Sequence, residues 1–129
     1  MLEGISAIMT KLQVIVKRSE STMMILATER YLSAMYNEAI TDDIMSGKIK
    51  IALKTSTSKF SEYIPPNVSE RQQIYIKTVE TIIPITCFIS DDKEVLVIFD
   101  DHITRRTTAL YSTNKGIINM LRFVFATVR

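Results

Sequence analysis

The sequence predicts an α/β domain: a mixed sheet with an N-terminal βαβ unit, a later antiparallel hairpin and a closing helix. Three observations carry this expectation. Two strand-like runs, 22–28 and 48–54, flank a segment whose apolar residues recur at helical spacing, the pattern of a parallel crossover. Strand-like stretches lie on both sides of Asp91-Asp92-Lys93, a string with turn chemistry. Beyond Thr113-Asn114 the apolar residues return to a helical rhythm.

Ile5, Ile8, Met9, Leu12, Ile15 and Val16 fall on one stripe, so the chain opens on an amphipathic helix with Lys11, Lys17 and Arg18 on or near its wet side. The unbroken run Thr22–Thr28 suits a strand covered on both faces. Glu29 to Ser46 reads as one helix with the stripe Leu32, Met35, Tyr36, Ala39 and Ile40, and Gly47 stands where a C-cap favours positive φ. Lys48–Lys54 is the second strand of the crossover. Residues 55–76 form a long irregular excursion stopped by Pro65-Pro66, with a short helical turn near Ser69–Ile74. Ile76–Ile82, Ile85–Ser90, Glu94–Phe99 and Thr107–Tyr111 are the later strands, read as antiparallel, and Asp100-Asp101-His102 is a polar break. Thr113 or Asn114 caps the last helix, which carries Ile117, Ile118, Leu121, Val124 and Phe125.

With 129 residues and 47% hydrophobic content, positions 1–129 make one domain with its own core. A net charge of +2 is too small to imply a nucleic-acid surface. A single cysteine, Cys87, forms neither an internal disulfide nor a cysteine zinc site, which points to a reducing, cytoplasmic setting. The apolar runs fall far short of the ~20 residues of a membrane helix.

Chemistry is sparse. His102 is the sole histidine; Asp100 and Asp101 beside it could orient an imidazole, but it reads first as a loop or packing residue. Asp91-Asp92 is explained by turn formation and Asp42-Asp43 by a solvated helix face. Glycines at 4, 47 and 116 build no phosphate loop. Arg105-Arg106 with Lys115 and Arg122 suggest a basic patch, but without interleaved aromatics a solvated face is the simpler reading. The sequence therefore nominates no catalytic residue, no metal ligand and no cofactor.

Several strings follow one pattern: Leu2-Glu3-Gly4-Ile5, Ser46-Gly47-Lys48-Ile49-Lys50-Ile51, the hairpin Phe88–Val97, and Thr108–Asn114 leading into Gly116–Phe125. The pattern resembles the C-terminal regulatory domain of archaeal TrmB-like transcriptional regulators, and it covers most of the chain outside 55–75. The resemblance implies a phospholipase D-like fold. Catalytic proteins of that fold carry His-x-Lys-x-x-x-x-Asp before the hairpin. With Asp91 as the final residue, Pro84 and Thr86 occupy the His and Lys positions; with Asp92 they are Ile85 and Cys87. His102, followed by Thr104 and Ala109, also misses the pattern.

The resemblance thus implies an effector-binding or dimerising domain of a transcriptional regulator, not an enzyme, belonging to a longer chain with an upstream winged helix. Partners would be a second copy and a small-molecule effector, with DNA reached only through the winged helix and no membrane involved. A stand-alone assembly module is the alternative, and a small enzyme using His102 a third reading. Open α/β sheets bind ligands beyond the carboxyl ends of their parallel strands. Topology therefore nominates Thr28, Glu29, Arg30, Lys54 and Thr55, with Asp100 and His102 approaching from the later hairpin.

Overall fold

A computed structural model describes residues 1–46, 49–57, 59, 62–63, 74–80, 82–101 and 103–129. In chain order the elements are β1 (Leu2–Glu3), α1 (Ile5–Arg18), β2 (Thr22–Ala27), α2 (Glu29–Asn37), α3 (Ile40–Ser46), β3 (Lys50–Thr55), β4 (Ile74–Thr78), β5 (Thr86–Ser90), β6 (Glu94–Asp101), β7 (Arg106–Ser112) and α4 (Lys115–Thr127). Seven strands make one mixed sheet in the order β1-β7-β6-β5-β2-β3-β4. The β2–β3 and β3–β4 pairs are parallel, and the remaining pairs are antiparallel. The predicted α/β architecture, with its βαβ unit, hairpin and closing helix, is present.

Strand alternation assigns the two layers. Met23, Ile25, Ala27, Leu53, Phe88 and Ile98 face α1, α2 and α3. Leu26, Cys87, Ile89, Val95 and Val97 face Ile118, Leu121 and Phe125 of α4. Because the central strands are covered on both sides, β2 and β5 read as continuous apolar runs. Helix α1 buries Ile8, Met9, Leu12, Ile15 and Val16, and Lys17 and Arg18 in its last turn suit the negative end of the helix dipole. Gly4, at φ 84, turns the chain from β1 into this helix and donates its N–H to the Thr107 carbonyl at 2.8 Å. No described helix is long and apolar enough to cross a membrane.

Five expectations need correction. The single helix over 29–46 is two helices, broken where Ala39 takes φ 57. A stripe read along one straight helix therefore loses phase. Tyr31 is buried, whereas Tyr36, expected in the core, is 52% exposed. The strand placed at Ile76–Ile82 runs Ile74–Thr78 and lies parallel to β3; Ile82 beyond it is 91% exposed. That start also overrides the helical turn expected near Ile74; its other residues, 69–73, lie outside those described. Asp100 and Asp101 belong to β6, paired with Thr107 and Arg106, because β6 continues past its apolar residues. The two-residue β1 was not foreseen, being too short for any periodicity. Gly47 lies outside the described residues.

Candidate functional site

The carboxyl ends of β2 and β3 meet the start of β5, the end of β6 and the start of β7, since these strands run the opposite way or return. Asp100 at the end of β6 is the centre of the polar cluster there. Its Oδ1 accepts from Arg30 Nη1 at 2.8 Å and from Thr107 Oγ1 at 3.0 Å. The Tyr31 hydroxyl lies 2.6 Å from both carboxylate oxygens, and Arg30 Nη2 donates to Thr107 Oγ1 at 3.2 Å. Burial, reinforced by the Asp100 carboxylate, pushes the Tyr31 hydroxyl well above its ordinary pKa, so it remains a donor. Arg30, Asp100, Asp101, Arg105, Arg106 and Thr107 line an open cleft of about 310 Å³. Asp101 Oδ1 accepts from the N–H groups of Ile103 and Thr104 at 2.9 and 3.2 Å, shaping the turn in which Arg105 takes φ 56. Three arginines against two aspartates make this cleft suited to an anion.

At the opposite end of the sheet the carboxylates of the β5–β6 hairpin, Asp91 and Glu94, are satisfied by partners within the fold. Asp91 and Asp92, at φ 54 and 56, form the hairpin turn. The Asp91 carboxylate accepts from the backbone N–H groups of Glu20, Ser21 and Thr22 at 2.8, 2.7 and 2.9 Å. Burial works against ionisation there, but the three donors prevail and hold the carboxyl below its usual range. Glu94 accepts from Arg18 and from the Tyr111 hydroxyl, and Lys11 stands 4.0 Å from the centre of the Tyr111 ring. Burial opposes ionisation of Glu94 as well, and Arg18 and Tyr111 outweigh it.

The residues nominated by topology are only partly brought together. Arg30 and Asp100 are joined directly. Thr28 is the N-cap of α2, its carbonyl accepting from Tyr31 and Leu32 N–H groups. Glu29 is partly buried and accepts from the Tyr63 hydroxyl at 2.9 Å, beside the edge-to-face Tyr36–Tyr63 pair. Thr55 is fully buried. Lys54 points to the other face of the sheet, where its ammonium donates to the Phe125 and Val128 carbonyls at 2.6 and 3.0 Å at the end of α4. His102 lies outside the described residues. The suggested basic patch is divided: Arg122 on α4 faces Asp92 at 3.5 Å, while Arg105 and Arg106 lie at the far end of β6. Tyr31 and Thr107 were not nominated. Thr107 enters through the pairing Asp100↔Thr107, which no local signal specifies, and Tyr31 from the first turn of α2, on the buried face it shares with Leu32 and Met35.

No family model matches the sequence, and no curated protein matches it. The fold, however, is shared with solved structures. Over 97% of this chain the structure is similar to TrmBL2, an archaeal chromatin protein whose structure shows a novel mode of DNA binding, with a TM-score of 0.77 at 10% identity. The fold thus agrees with the TrmB-like resemblance in the sequence. The match covers 49% of TrmBL2, so the present chain spans about half the length of that protein. NucT from Helicobacter pylori is similar over 96% of this chain and 88% of its own, with a TM-score of 0.60 at 9% identity.

Proposed function

We propose that the chain is a non-catalytic effector-binding domain of a transcription-associated regulator, working in the cytoplasm as part of a longer chain whose winged helix contacts DNA. The observation that carries this reading is the cleft around Arg30 and Asp100. It lies where open α/β sheets hold ligands, and its arginines outnumber its acids. The likeness to TrmBL2 supports the regulatory setting. Two side chains of nucleophilic type, Cys87 and Ser112, lend no support to catalysis. The Cys87 thiol is buried on the α4 side and pushed up to about 12 by burial, so it is not a ready thiolate. Ser112 Oγ accepts from the Asn114 N–H in the lead-in to α4. The effector is a small polar anion held by Arg30 and Arg106, with the Thr107 hydroxyl beside them.

Thermal unfolding against a panel of dicarboxylates, sugar phosphates and neutral sugars tests the reading. An anionic effector raises the midpoint of the intact chain, and Arg30→Ala removes the rise. A panel without any effect, or a rise unchanged in Arg30→Ala, overturns it. Assembly is the second role, favoured by Met120 and Phe123, which are 58% and 69% exposed on α4. A dimer in sedimentation that dissociates in Phe123→Ser supports it, and a monomer at high concentration removes it.

A further inference from the structure

A larger hollow, of about 510 Å³, lies on the α4 side of the sheet at the end away from the arginine cleft. Helix α4 packs over β5 and β6, leaving an open floor of Met24, Ala52 and Tyr75. Lys50 and Arg122 stand at its rim, with Asp92. The register pairs Ala52 with Tyr75. Lys50 is two residues before Ala52 on the same face, about 6.6 Å along the strand and one strand, about 4.8 Å, from Tyr75. Tyr75 is 55% exposed, an aromatic residue beside two cations. The Lys50 ammonium has no side-chain partner among the described residues. Arg122 Nε meets Asp92 at 3.5 Å, longer than a charge-assisted hydrogen bond, so an incoming anion can replace the aspartate.

We propose that this hollow binds a nucleotide unit, its base stacked on Tyr75 and its phosphate between Lys50 and Arg122. Stacking needs a flat exposed ring beside an electropositive rim, and both are present. An acidic peptide fits less well. The backbone groups of β3 are engaged by β2 and β4 on its two sides, so a peptide lying on this face finds no ladder partner for its own N–H and C=O groups. A base presents a π-face and has no such need. The unit can come from a free nucleotide or from a single strand. The site shares no residue with the Arg30 cleft, so either can fail alone.

The test is fluorescence anisotropy of a labelled single-stranded oligothymidylate with the full chain at low salt, with unlabelled thymidine monophosphate as competitor. Tyr75→Ala weakens binding about tenfold or more, Tyr75→Phe preserves it, and Tyr75→Leu repeats the loss while keeping the apolar bulk. Lys50→Ala and Arg122→Ala each lower the slope of log K against log salt by about 0.7. Arg30→Ala has no effect. Competition by thymidine monophosphate identifies a free nucleotide; binding of the oligomer alone, still dependent on Tyr75, identifies a strand. The proposal is overturned if neither thymidylate binds. It is equally overturned if Tyr75→Ala and Tyr75→Leu bind as tightly as the parent, or if polyglutamate competes as well as the oligomer.

Discussion

At the amino ends of the parallel strands, Asp91 is held by three backbone N–H groups and Glu94 by Arg18 and Tyr111. At the carboxyl ends, Asp100 is held by Arg30, Tyr31 and Thr107, yet Arg105 and Arg106 stand beside it with no side-chain partner among the described residues. Both ends are polar and built from hairpin aspartates. The first ties three backbone groups of the α1–β2 connection to the β5–β6 turn and so acts as a clamp on the fold. The second leaves cationic groups uncommitted in an open cleft, where their hydrogen-bonding capacity is available to a ligand. Polarity alone therefore does not mark a site; unsatisfied capacity in a concave place does.

Breaking the clamp should have the largest effect. Asp91→Ala removes the acceptor of three N–H groups and places alanine at φ 54. Hydrogen bonds to a charged group contribute about 1.5–3 kcal/mol each. Partial exposure lets water replace some of that, so the expected loss is about 2–4 kcal/mol in urea unfolding. Acid supplies a second readout. The folded carboxyl titrates below its ordinary value, so its contribution is complete above the unfolded pKa of about 3.9 and fades as pH falls through the folded one. The gap between parent and variant should be constant from neutral pH to about 4 and narrow below it. A gap that widens in acid would contradict the assignment.

Next in size is Lys54, which resembles neither end: a buried cation facing the end of a helix. Its burial, then Lys77 and Arg129, lower its pKa, while the Phe125 and Val128 carbonyls at the end of α4 accept hydrogen bonds from its ammonium. Lys54→Met keeps the apolar stem but leaves those carbonyls to water, for an expected loss of about 1–2 kcal/mol. Amide exchange should rise at the C-terminal end of α4 more than in α1. Unchanged exchange there would show that the ammonium does not hold the helix.

What the sequence disclosed follows from the range of each interaction. The α1 stripe, the apolar β2 run, the Asp91-Asp92 turn and the Asn114 cap, whose Oδ1 accepts from the Ile117 N–H at 3.1 Å, are local and were readable. The crossover and the hairpin followed from them. The break at Ala39 left no trace, because neither glycine nor proline marks it. The direction of β4 is set by its partner and not by its own residues. Topology nominated Arg30 and Asp100, which the fold joins in one ion pair, but that rule marks an end of the sheet and not a face of it. It therefore included Lys54, whose side chain points the other way, and Thr55, which is sealed in the core. Tyr75 could not be recognised as a platform until α4 was seen to leave it open.

The smallest effect on stability, and the sharpest form of the comparison, belongs to Arg105 and Arg106. Both are exposed and support no described side chain, so replacing both by serine should change unfolding stability by no more than about 0.5 kcal/mol. Inorganic phosphate should then separate the two ends of the sheet. It raises the unfolding midpoint of the parent, since a ligand that binds only the folded chain adds about 2.7 kcal/mol at a hundred times its Kd. The double variant should lose most of that rise, and Asp91→Asn, at the hairpin clamp, should retain it. A double variant destabilised by more than about 1 kcal/mol would make these arginines part of the scaffold, because surface substitutions away from structural features rarely cost that much. The two ends would then differ in exposure alone, and the case for a ligand at the open one would fall with the difference.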